Sequence, residues 1–123
     1  MNIVIVDENA DTCEMLAFIL RGQGHTVFSA LNSGDAVPLI HQHNPDMVMI
    51  DLNTPKGLPV DQFIKAIHAH CPSTEIVAMS GTRTVVVRAS ALRVRRYLHK
   101  PFEPADVFKA IGPRPPKVEL PAT

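Results

Sequence analysis

The feature that most constrains this chain is the apolar run Met47-Val48-Met49-Ile50, which ends abruptly in Asp51 and is followed by Leu52-Asn53-Thr54-Pro55. A short apolar run closed by a carboxylate and a turn reads as a buried strand that delivers Asp51 to the rim of a sheet. In an open α/β sheet that rim, at the carboxyl ends of the strands, is where ligands bind. The question becomes which other strands bring polar groups to the same place.

Three further segments do so. Asn2-Ile3-Val4-Ile5-Val6 runs into Asp7-Glu8, Glu75-Ile76-Val77-Ala78-Met79 into Ser80-Gly81, and Tyr97-Leu98-His99 into Lys100-Pro101. If the four strands are parallel neighbours, the rim gathers three carboxylates, a hydroxyl and one ammonium. That composition suits a divalent metal held by oxygen ligands with a phosphoryl group beside it.

The chain between these strands carries helix signals. Asn9 and Asp11 offer capping oxygens to a helix running to about Arg21, which Gly22 and Gly24 stop. Thr26 to Ala30 reads as a strand, Ser33 as the cap of a helix ending near His43, and Asn44-Pro45-Asp46 as the break before the central strand. A helix is expected from about Val60 to His70, another from Thr82 to Leu92 despite the β-branched Val85-Val86-Val87, and a last one from Pro104 to about Ile111. Strand and helix alternate about five times, which predicts an α/β fold: a doubly wound, five-stranded parallel sheet with helices on both faces, flavodoxin-like in layout. Residues 1–111 form one domain in this reading. Residues 112–123, opening Gly112-Pro113-Arg114-Pro115-Pro116, are expected to be a disordered, proline-rich tail.

A chain of 123 residues fits a single domain. No stretch approaches the roughly 20 apolar residues of a membrane span, so a cytoplasmic protein is expected. Cys13 and Cys71 lack CxxC spacing and read as reduced, idle thiols. The formal net charge is zero, yet residues 1–62 hold eight acids against two bases and residues 63–123 hold ten bases against four acids. The bases concentrate in Arg83, Arg88, Arg93, Arg95 and Arg96. His41 and His43, and His68 and His70, sit two apart. On a helix such pairs diverge, so exposed helix-end histidines are expected rather than a metal site.

Taken together, Asp7-Glu8, Asp51 with Pro55 four residues on, Ser80, and Tyr97 with Lys100-Pro101-Phe102 resemble the receiver domain of two-component response regulators, of the stand-alone type, over residues 2 to about 111. The resemblance implies phosphorelay signalling in which Asp51 accepts a phosphoryl group as an acyl phosphate. It implies Mg²⁺ held by Asp7, Glu8, Asp51 and the Asn53 carbonyl. Lys100 and Ser80 would contact the phosphoryl oxygens, Tyr97 would act as the aromatic switch, and a cis bond would precede Pro101. The chain departs from the family pattern at Glu8, where a second aspartate is usual, and at Thr54 and Pro59.

The resemblance also implies a sensor histidine kinase or phosphotransfer protein as donor, and a non-enzymatic output through a changed binding surface. Here that surface is basic, through Arg83, Arg88, Arg93, Arg95 and Arg96, which favours an acidic protein over nucleic acid because no groove-reading motif is present. Two other functions compete. One is a degenerate receiver that binds partners without phosphorylation. The other is a haloacid-dehalogenase-like phosphatase, disfavoured because its second aspartate is Asn53 here; a flavin-binding flavodoxin lacks its phosphate loop after the first strand.

Overall fold

The computed structural model describes residues 1–54, 56–82 and 85–112; Pro55, Arg83, Thr84 and the tail from residue 113 lie outside the described residues. Ten elements follow one another as β1 (Asn2–Val6), α1 (Ala10–Gly22), β2 (Thr26–Ala30), α2 (Ser33–His43), β3 (Met47–Asp51), α3 (Val60–His70), β4 (Glu75–Ser80), α4 (Val85–Ala91), β5 (Arg96–His99) and α5 (Pro104–Ile111). The strands lie in the order β2-β1-β3-β4-β5, and every neighbouring pair is parallel. This is the doubly wound sheet that the alternation of patterns predicts.

The period-2 geometry of strands divides the core into two layers. Ile3, Ile5, Met47, Met49, Val77 and Met79 point to one side, where Leu16 and Leu20 of α1 and Val107 and Ile111 of α5 cover them. Val4, Val6, Val48, Ile50, Ile76 and Ala78 point to the other, against α2, α3 and Ala89 of α4. With both faces covered, the interiors of β1, β3 and β4 must be apolar, between the polar first residues Asn2 of β1 and Glu75 of β4 and the polar groups at the rim. The position of Asp51 therefore follows from the same burial that makes β3 a strand.

Local chemistry sets the element ends. Asn9 caps α1, accepting from the amides of Asp11 and Thr12 at 2.9 and 3.1 Å. The cap of α2 is Asn32 rather than Ser33: the Asn32 side chain accepts from the Asp35 amide at 2.9 Å. Ser33 is thereby freed to accept from the Leu58 amide at 2.6 Å, pinning the loop that follows the central strand. Gly57 in that loop has φ of 100°, and a Cβ there would run into the Ser33 hydroxyl. Only glycine meets both demands.

The helix expected over 82–92 is shorter, Val85–Ala91, and β5 starts one residue earlier than expected, at Arg96. The helix ends in a six-to-one and five-to-two pair of bonds, Val94 N–H to Ala89 C=O at 2.8 Å and Arg93 N–H to Ser90 C=O at 3.0 Å. In this arrangement the residue just past the cap is left-handed, a place that glycine usually fills. Here it is Arg93, with φ of 59°. Among the histidines, His41 stacks on His70 with centroids 4.1 Å apart and His43 stacks on Phe28 at 3.8 Å.

Because Arg93 is exposed and left-handed, Arg93→Gly should stabilise the fold by roughly 0.5–1 kcal/mol, the removed backbone strain exceeding the entropy that glycine adds to the unfolded chain. Urea denaturation should show a higher midpoint at unchanged slope.

Candidate functional site

The rim assembles around one cation. Lys100 follows β5, and its ammonium donates to Asp7 Oδ2 at 2.5 Å and to Asp51 Oδ2 at 3.2 Å. Asp7 is wholly buried and Asp51 is 7% exposed. Each carboxylate is also held from below by its own chain: Asp7 Oδ1 accepts from the Asn9 amide and Asp51 Oδ1 from the Asn53 amide, both at 2.9 Å. Backbone geometry delivers Lys100 to this point. Its amide donates to the Ser80 carbonyl at 2.8 Å, and the Lys100-Pro101 peptide is cis, as the resemblance implies.

Two carboxylates on one ammonium leave the cluster with a net negative charge. Burial alone would lower the Lys100 pKa, but the hydrogen bond to Asp7 and the charges of Asp51 and Asp7 outweigh it and hold the group above the ordinary 10.5. Asp7 also acts on Cys13 of α1, whose thiol donates to the Asp7 carbonyl at 3.4 Å. Burial first, and the negative charge of Asp7 second, push the Cys13 thiol up to about 11.

Ser80 closes β4, and its buried hydroxyl accepts from Asn53 Nδ2 at 3.3 Å and from the Thr82 amide at 3.1 Å. It also shares a hydrogen bond with Thr82 Oγ1 at 3.0 Å. Asn53 thus joins the β3 and β4 rims through its side chain, a role that its expected carbonyl donation does not cover. Of the residues expected at the site, Asp7, Asp51, Ser80, Lys100 and Asn53 come together. Glu8 is exposed, and among the described residues no three Asp, Glu, His or Cys side chains converge as a metal cluster. Tyr97 lies on the outward side of β5 and is 45% exposed.

The expected basic face is corrected. Arg88 turns inward, donating to Asn53 Oδ1 at 2.7 Å and to the Leu52 carbonyl at 3.1 Å. Arg96 is buried, and its guanidinium donates to the carbonyls of Ala110 and Gly112 at 2.8 and 3.1 Å, capping the end of α5. Arg93 and Arg95 stay exposed, but at the edge of the sheet where strands begin, opposite the Asp51 rim. The sequence suggests a single basic output surface carrying all five arginines. The alternation of β5, which sends Arg96 inward beside outward Tyr97, was the signal that could have separated them.

With this geometry, an acidic rim at the carboxyl ends of a parallel sheet, the chain has the fold and site of a signalling receiver. A family model described as response regulator receiver domain matches residues 3–112, and the chain belongs to that family. Protein PilH of Pseudomonas aeruginosa is 32% identical over 114 residues, covering 89% of this chain and 93% of that protein. The DNA-binding response regulator MtrA of Mycolicibacterium paratuberculosis is 28% identical over 91% of this chain, which spans 50% of MtrA's length. The chemotaxis response regulator CheY4 of Vibrio cholerae superposes with a TM-score of 0.78 at 21% identity, covering 88% of this chain and 92% of that one, a likeness of fold. Among the described residues no helix is long and apolar enough to cross a membrane.

Two outcomes follow from the cluster. A lysine whose pKa is raised on folding contributes stability that is complete below the ordinary 10.5 and is lost as pH rises through the higher folded value. Lys100→Met should therefore cost roughly 3 kcal/mol at neutral pH, the low end for breaking a buried ion pair because Lys100 keeps some solvent access. The gap to wild type should narrow in urea titrations above pH 10.5. Cys13, buried and with its pKa near 11, should resist alkylation in the native protein at pH 8 and react promptly once unfolded.

Proposed function

We propose that the chain is a phosphoacceptor switch in which Asp51 takes a phosphoryl group from the phosphohistidine of a sensor kinase or phosphotransfer protein. The supporting observation is that Asp51, almost wholly buried at the end of the central strand, shares the Lys100 ammonium with Asp7. In the transfer an Asp51 carboxylate oxygen bonds to phosphorus, the P–N bond breaks, and the leaving imidazole keeps that electron pair and takes up a proton. Lys100 lies between the two acids and supplies a cation for charge that develops on the phosphoryl oxygens. The Ser80 hydroxyl, already held among three polar partners, is the neutral donor for a second oxygen.

The donor set fits Mg²⁺. It is all oxygen, carries net negative charge, and offers two carboxylates rather than a closed cage, which suits an ion that keeps several of its waters. Asp7, Asp51 and the Asn53 carbonyl would hold it, with the exposed Glu8 adding charge to the same rim. When bound, Mg²⁺ supplies the positive charge that lets an anionic donor approach an anionic acceptor.

Output would pass through a change in what the surface binds, with Tyr97, half-exposed on β5, as the side chain that changes its exposure. Among the described residues, the arginines of that run left for an acidic partner are Arg93 and Arg95. Incubation with acetyl phosphate and Mg²⁺ should add one phosphoryl group, seen by intact mass, to wild type and none to Asp51→Asn. Omission of Mg²⁺ should abolish the gain. Equal labelling of both proteins would move the acceptor elsewhere, and no labelling of wild type would leave a phosphorylation-independent binding module.

A further inference from the structure

The acceptor loop is held by a residue outside the set of expected site groups. Arg88 lies on α4, 35 positions from Asn53 in sequence, yet its two terminal nitrogens grip both the Asn53 side-chain oxygen and the Leu52 carbonyl. A guanidinium offers only donors, so it fixes the Asn53 amide with oxygen toward α4 and nitrogen toward Ser80. The backbone of the same residue donates to Asp51. Asn53 is thus fastened at three points: to the phosphoacceptor by its amide, to β4 by Nδ2 and to α4 by Oδ1.

The helix needs this contact as much as the loop does. α4 spans seven residues and opens with Val85-Val86-Val87, three poor helix formers, so little of its order comes from local propensity. Two charge-assisted bonds from a rigid planar fork can hold it where its own sequence cannot. Resting on the reading of Asp51 as phosphoacceptor, we propose that Arg88 is a positioning residue that clamps α4 to the acceptor loop through Asn53, so that the geometry beside Asp51 and the placement of α4 are set together. Lysine could keep the charge at this position. It could not span both acceptors with a planar pair of donors.

Hydrogen exchange tests the clamp in the unphosphorylated protein. The amides of Leu92, Arg93 and Val94 bond back into α4 and report its order. Arg88→Ala, Arg88→Lys and Asn53→Ala should each speed their exchange about ten-fold, the scale of losing hydrogen bonds to a charged group. The double variant Arg88→Ala/Asn53→Ala should exchange no faster than Arg88→Ala alone, because removing the arginine already breaks the contact that Asn53→Ala breaks. Wild-type exchange in Asn53→Ala, or effects that simply add, would overturn the clamp.

Phosphorylation supplies the second reading. With acetyl phosphate and Mg²⁺, Arg88→Lys should slow uptake about as much as Arg88→Ala, by roughly five-fold, since misplacing groups beside the reacting carboxylate costs rate even when charge is kept. A wild-type rate in Arg88→Lys would show that Arg88 acts only as a charge and would also overturn the proposal. Failure of wild type to take up phosphate would instead remove the assignment of Asp51, and the exchange rates would still decide the clamp.

Discussion

The ammonium of Lys100, shared by two acids that would otherwise repel each other, is the interaction on which the rim depends. Asp7 and Asp51 arrive on neighbouring strands, β1 and β3, and are driven close by the apolar register behind them. Two carboxylates brought together in so dry a place repel each other strongly. Lys100 resolves the conflict only in part, since one cation does not neutralise two anions. The remaining negative charge stays at the rim, beside the partly solvent-accessible Lys100.

Most of the fold was legible because burial on both faces writes itself into the sequence. Past their first residues, Asn2 and Glu75, β1 and β4 are apolar runs like β3 that end at polar residues, and the limits and neighbours of all three are close to those expected. The acids and Lys100 were legible for the same reason, as the residues at which those runs break. What could not be read was anything decided by side chains reaching across the structure. Asn32 and Ser33 are both good caps, and only the approach of the loop at Leu58 decides which of them caps α2. Arg88 and Arg96 look like surface charge in sequence, and each finds carbonyl acceptors far along the chain.

The separation of the arginines changes how the charge asymmetry is understood. A cluster that looks like one electrostatic face becomes three unrelated uses of the same side chain. Among the described residues, Arg88 braces the loop after β3, Arg96 closes the end of α5, and Arg93 and Arg95 remain in solvent at the end of the sheet opposite Asp51. Charge runs in sequence describe composition, whereas a field requires the groups to lie together.

The short β5 carries a consequence for association. It is an outer strand of the sheet, four residues long, and among the described residues no strand pairs with its other side. Its ends carry Arg95 and Lys100, while its inward-pointing Arg96 is committed to α5. Brevity and charge make it a poor template for a sixth strand, so the sheet stays finite at this border.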